Sequence, residues 1–209
     1  MHAEPALPPD PLARLKAGTD DLHLQLDRHS RMSRLLAPDL QVHEYATILQ
    51  RLLACQSEIE PVLDTFHGSL GSAVPEWLVP AIYRRSGDLM ADLQALGYTA
   101  SATGDITKPS HITLLEINSL AQAAGCLYVL AGSSLGARVI ERRLREHPGT
   151  LLVDALRYFS PQAEQAGWSW PAYRQTLNAV LCQPSDEHAA LHSARAVFGC
   201  FLRHMALAS

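Results

Sequence analysis

Cysteine, aromatic residues and charge of one sign are all scarce in this chain, and each scarcity removes a class of protein. The four cysteines, Cys55, Cys126, Cys182 and Cys200, stand singly in apolar helical surroundings without a CxxC pair. Neither a disulfide framework nor a thiolate zinc site is indicated, and free buried thiols in a reducing cytoplasm are expected. The 17 basic and 21 acidic residues are interspersed and leave a formal charge of −4, which offers no basic footprint for nucleic acid and no polybasic patch for anionic lipid. No run reaches the roughly 18 consecutive apolar residues of a membrane span. The opening MHAEPALPPDP lacks both the basic and the apolar region of a signal peptide. Alternating strand patterns and internal repeats are missing as well. A cytoplasmic protein is expected, with small molecules or other proteins as partners, no nucleic acid and no membrane.

What is present is helical periodicity. At 209 residues the chain suits one domain able to bury about 70% of its unfolded surface without staples. The expected architecture is all-α, a single-domain multi-helix bundle, with residues 1–11 a proline-rich lead and 12–209 the helical domain. Pro11 is suited to a first helical turn, because the N–H it lacks would be unpaired there. Apolar residues at Leu12, Leu15, Leu22 and Leu26 give a helix over 12 to about 28. A second helix is predicted over 43–64, with Pro61 expected to kink or end it. Short helices follow at 77–84 and up to Leu96, where Gly97 stops the helix. Residues 98–109 read as a loop. From Ser110 the pattern resumes and is expected to run through Gly125. The last third reads as helices over 150–159, 171–182 and 185–205, with Ser185 as a cap.

Two stretches stand out chemically. Residues 125–146, GCLYVLAGSSLGARVIERRLRE, form a strong helix interrupted by Gly132 and Gly136, four apart and so on one face, each costing about 0.5–1 kcal/mol relative to alanine. A bare backbone face permits close approach by another helix or by a flat ligand, and the stretch itself leaves both open. On the first helix Lys16, Thr19, His23 and Asp27 share a face at spacings of three, four and four. A metal-ligating histidine commonly donates its second ring N–H to a carboxylate, a carbonyl or water, and Asp27 or water is placed to accept it. A surface histidine beside a surface aspartate has the same spacing. His188 and His192 are also i, i+4, but neither the glutamate of an HExxH motif nor a clear third ligand accompanies them, and a solvated helix face explains them. No Glu-x-x-His spacing of a carboxylate-bridged dimetal bundle occurs.

Taken together, TDDLHLQLD at 19–27, YVLAGSSLGARVI at 128–140, and Tyr173-Arg174 with Asn178 resemble the haem oxygenases, as does the weaker SARAVFGCF pattern of the final helix. The motifs are individually short, but their order spans the chain from about residue 12 to 205. The resemblance implies a proximal histidine on the first helix and a kinked, glycine-rich distal helix over the other haem face. His23 then becomes the axial iron ligand. Gly132 and Gly136 form the distal wall, with Tyr128 at the cofactor, and Lys16 and Arg174 hold the propionate edge, where Tyr173 either adds a hydrogen bond or is a core residue. The implied reaction opens haem b, both substrate and cofactor, to biliverdin, carbon monoxide and iron, using dioxygen and electrons from ferredoxin or a flavoprotein reductase.

Two positions depart from the family pattern. Ser133 stands where many members carry an aspartate, so proton delivery is expected to rest on Ser133, Ser134 or backbone carbonyls, with Arg138 one turn further on. Asp20 replaces a basic residue of some members. The GSxLG form resembles bacterial members, including those that make bilin for bacterial phytochromes. A haem carrier or sensor using the same pocket and a purely structural helical module are the rival readings.

Overall fold

The computed structural model describes residues 10–98, 115–147, 154–160 and 169–207, without the side chains of Ser134 and Leu135. Among these residues all regular structure is helical. Helix α1 (Pro11–Asp27) starts on Asp10, whose Oδ1 accepts the Ala13 N–H at 2.9 Å, with Pro11 in the first turn. A short α2 (Ser30–Arg34) leads to α3 (Val42–Ser69), the long central helix. After the 3-10 turn Gly71–Ala73 come α4 (Pro80–Tyr83) and α5 (Ser86–Ala95). Gly97 follows at φ 85°, a left-handed conformation that closes the helix, as expected. Helix α6 (Leu120–Arg145), α7 (Trp170–Val180) and α8 (Pro184–Ala206) complete the bundle.

The core lies where α3, α6 and α8 meet, around Tyr45, Leu49, Ile59, Leu127, Ala194 and Val197. Helices α6 and α8 make the most extensive contact, and a third glycine sets their approach. A Cβ on Gly125 would lie 1.9 Å from the Ala190 carbonyl oxygen, so only glycine lets the two backbones come together there. Helix α1 packs on the outer side of α8, where a Cβ on Gly18 would meet Leu191 at 2.6 Å.

Tertiary packing overrides several local signals. Pro61 neither ends nor breaks α3, because Ile59, Leu63 and Phe66 on either side of it are buried in one core, and the helix runs to Ser69. Residues 115–118 are not helical, and Ser119 caps α6 by accepting the Gln122 N–H at 3.2 Å, so the helix does not continue from upstream. The segment 154–160 forms turns rather than the end of a helix. Its backbone is claimed by another helix: both Asp92 oxygens accept, at 2.9 Å, from the N–H groups of Arg157 and Tyr158, and Arg85 donates to the Tyr158 carbonyl at 2.6 Å. Ser185 lies inside the first turn of α8, which begins at Pro184 after Gln183. The readings of 99–109 as a loop and of 110–114 and 150–153 as helix fall outside the described residues. Helix α6 is long and apolar enough to match a membrane span by length and composition. Its apolar first half, from Ala121 to Ala131, is buried against the bundle instead.

Candidate functional site

Helix α1 brings His23 to a cavity of about 1070 Å³, whose wall α6, α7, α8, α3 and the 154–160 turns complete. That volume is at the upper end of the roughly 300–1,000 Å³ usual for small-molecule sites. The wall is largely apolar, with Trp170, Phe198 and Phe201 among its aromatic groups. The His23 ring stands edge-on to Phe198 at 5.8 Å between centroids. Its Nδ1 lies 2.9 Å from Asp27 Oδ2. With Nδ1–H donated to the carboxylate, the tautomer is fixed and Nε2 is left as the nitrogen with a lone pair. The side chain is 61% exposed because it faces the open cavity.

Gly132 and Gly136 line the same cavity. A Cβ on Gly132 would come no nearer than 3.8 Å to Trp170, and one on Gly136 would meet nothing within 4 Å. Helix packing therefore does not require either glycine. The close approach that the sequence left open between a helix and a flat ligand is used by a helix at Gly125, and the two later glycines keep a strip of bare backbone facing open space. A planar group entering between His23 and that strip has an imidazole for a central metal on one side and the bare Gly132 and Gly136 backbone on the other, which is the arrangement expected for haem.

The two expected cations are also at the wall. Lys16 Nζ donates to Asp20 at 2.9 and 3.0 Å, and this bond raises the lysine pKa. Arg174 donates to Asp10, whose carboxyl is held below its ordinary value by the Ala13 N–H and then by this arginine. Each cation thus has a resident carboxylate that an incoming anion must displace. Tyr128 lines the cavity beside Thr19, and burial pushes its phenol up. Ser133 also lines it, with its hydroxyl donating to the Leu130 carbonyl at 2.7 Å. The side chain of Ser134 is outside the described residues.

Two expected site residues are elsewhere. Tyr173 is 1% exposed and lies in the core, where its hydroxyl donates to the Ala124 carbonyl and ties α7 to α6, so it is absent from the cavity lining. Arg138 is exposed and does not line the cavity either, since it lies two residues past Gly136 and so about 200° round α6 from the glycine face. Conversely, Gln56, Tyr158 and Trp170 line the cavity without having been singled out. Gln56 Nε2 reaches the Tyr158 hydroxyl at 3.4 Å, and Gln56 Oε1 is a buried acceptor without a protein partner. Nothing local in the sequence marks these residues, which converge from elements far apart in the chain.

Comparison with known proteins agrees with this geometry. A haem oxygenase from Xanthomonas campestris pv. campestris (strain 8004) is 33% identical over 141 residues, covering 64% of this chain and 77% of that protein. The solved NO- and CO-bound haem oxygenase from Neisseria meningitidis superposes with a TM-score of 0.61 at 25% identity, over 96% of this chain and 94% of that one. Haem oxygenase from Leptospira interrogans shares the fold with a TM-score of 0.67 at 18% identity, covering 94% and 98% of the two chains. The Synechocystis haem oxygenase-1 structure, solved with haem, does so at 0.63 and 13%, covering 94% and 91%. Residues 10–206 match the family described as Heme oxygenase, and with an all-helical bundle built around the cavity just described, the chain belongs to the haem oxygenase family.

Proposed function

We propose that this enzyme cleaves haem b oxidatively to biliverdin, releasing carbon monoxide and ferrous iron, with dioxygen and electrons from an external donor such as ferredoxin or a flavoprotein reductase. The observation that carries the reading is the shared cavity of His23 and two glycines that no neighbouring protein atom requires. Bound haem supplies the iron at which dioxygen is reduced and the porphyrin edge that is oxidised.

The chain's own part is binding, orientation and proton handling. His23 holds the iron through Nε2 as a neutral imidazole, oriented by Asp27 at Nδ1. Lys16 and Arg174 exchange Asp20 and Asp10 for the two propionates. Arginine offers a fork where lysine offers a point charge, so Arg174 is the stronger determinant of which ring edge faces the reaction. Gly132 and Gly136 let the α6 backbone approach the ring plane. Ser133, already a donor to Leu130, keeps its lone pairs free to accept from a proton-carrying water, and Ser134 is the second hydroxyl of that stretch. Tyr173 acts indirectly by fixing α7, the helix that carries Arg174. The proposed setting is the cytoplasm, with biliverdin passing to a bacterial phytochrome, a destination suggested by the GSSLG form of the distal stretch.

Mixing the purified protein with hemin and then adding reductant in air tests the whole reading. Loss of the Soret band with accumulation of biliverdin is expected, and His23→Ala should lose both the histidine-ligated spectrum and turnover. A Soret band that merely shifts on reduction, or a His23→Ala spectrum identical to the wild type, overturns it.

A further inference from the structure

Behind the wall of the cavity, on the side where α3 meets α8, lies a second buried cluster that the haem chemistry does not use. Cys55 of α3 and Cys200 of α8 are 0% and 5% exposed, and their Sγ atoms are 3.0 Å apart. That is inside the ordinary contact distance of two sulfur atoms and about 1 Å longer than the ~2.05 Å of a disulfide. One turn beyond Cys200, His204 places its Nε2 2.9 Å from Glu58 Oε1, while Arg203 donates to Glu58 Oε2 at 2.8 Å. Cys200 Sγ itself is 3.6 Å from Glu58 Oε2. The ligand atoms of Glu58, Cys200 and His204 all lie within 4.8 Å of one another. Thiol, thiol, imidazole and carboxylate are thus gathered from two helices, with Arg203 balancing the carboxylate.

From this arrangement we propose that Cys200 is a peroxide-reactive thiolate and Cys55 its resolving thiol, so that hydrogen peroxide converts the pair into a disulfide joining α3 to α8. The Cys200 thiolate attacks one peroxide oxygen, forming an S–O bond and breaking the O–O bond. The departing hydroxide takes a proton from the His204 imidazolium and leaves as water. The Cys55 sulfur then attacks the sulfenic sulfur, an S–S bond forms, and the second oxygen leaves as water with the Cys55 proton. Two thiols and one peroxide give one disulfide and two waters.

The protonation pattern agrees with these roles. The hydrogen bond from Cys55, with His204 beside it, holds the Cys200 thiol down to about 7, near the value at which an attacking thiol is most effective. Burial pushes Cys55 up, which keeps it the proton donor of the pair. His204 is raised, first by Cys200 and then by Glu58, as befits an imidazolium beside a thiolate. Cys126 is equally buried, and burial first, with the charge of Cys200 second, drives its thiol well above the ordinary value, so it is the internal control. Only a small oxidant can reach sulfurs this enclosed, which is why peroxide is the substrate class. The link would lie directly behind Leu52 and Gln56 of α3 and Phe198 and Phe201 of α8, all cavity-lining. The proposal does not rest on the haem reading.

The full chain carrying Cys182→Ser, which removes the exposed thiol, is reduced, desalted, treated with a small excess of hydrogen peroxide, alkylated in denaturant and mapped by mass spectrometry. The peptides of Cys55 and Cys200 should be joined with loss of two hydrogens, reversibly by dithiothreitol, while Cys126 stays free and reacts at least about tenfold more slowly. Adding Cys55→Ser should trap a dimedone-reactive sulfenate on Cys200, and adding Cys200→Ser should leave Cys55 unoxidised. The proposal is overturned if all three remaining thiols stay free, if Cys126 oxidises as fast as Cys200, or if the sulfenate forms on Cys55. A stoichiometric divalent metal that blocks alkylation of Cys200 until chelated also overturns it, because the cluster is then a metal centre. The Cys182→Ser result decides the matter even if either core substitution fails to fold.

Discussion

At the scale of single residues, three glycines of one helix do different work, and only their surroundings tell them apart. Gly132→Ala puts a methyl in ordinary contact with Trp170 and Gly136→Ala puts one in open space, and both remove a glycine from a helix interior, so each should raise stability by about 0.5–1 kcal/mol. Each should also lower haem affinity or turnover, because the methyl occupies the strip facing the ring. Thermal melting of the free protein and hemin titration read the two effects separately, and loss of stability at either position would contradict the geometry. Asp20 occupies Lys16 at 2.9 Å, and in the proposed reading a propionate has to displace it. Because both groups of that pair are exposed and screened by salt, Asp20→Asn should tighten hemin binding by no more than about fivefold, in a titration at low salt. Arg174→Ala should leave His23 ligation intact and broaden the mixture of biliverdin isomers, read by chromatography of the products.

At the scale of elements, Gly125 is where α6 and α8 are held together. A Cβ there meets the Ala190 backbone at 1.9 Å, and backbone cannot rotate aside as a side chain can. Gly125→Ala should therefore cost about 3 kcal/mol and lower Tm by roughly 6–12 °C, the opposite sign to the other two glycines. The start of α3 responds to pH. Glu44 Oε2 accepts the Gln41 N–H at 2.9 Å and pairs with Arg34, which holds the glutamate carboxyl below its ordinary value, with the Gln41 bond second. A depressed carboxyl contributes stability that is present above its unfolded value and lost as pH falls through the lower folded one. Glu44→Gln keeps an acceptor at the cap but removes the titration, so acid unfolding monitored by circular dichroism should begin less steeply below about pH 4.5.

At the scale of the molecule, a cavity of about 1070 Å³ between α1 and α6 gives a ligand room to touch both helices at once. Hemin should stabilise the whole fold by about 2.7 kcal/mol at a hundredfold excess over Kd, and His23→Ala should lose most of that gain in a melting experiment with and without hemin.

Composition and period were enough to establish an all-helical chain, and the steps of three, four and four from Lys16 to Asp27 and of four between the glycines were enough to identify one candidate face on each of two helices, because helix geometry is local. The resemblance then joined those faces to haem. Whether Gly132 and Gly136 faced a helix or a cavity was decided only by the position of α8, which meets the chain at Gly125 instead. Tyr173 went to the core, Pro61 was carried through inside a helix, and Trp170, Gln56 and Tyr158 reached the cavity, all by contacts between residues distant in sequence. The pairing of Cys55 with Cys200, 145 residues apart, was invisible for the same reason: spacing along one helix is written in the order of residues, whereas the meeting of two helices depends on how every buried side chain packs at once.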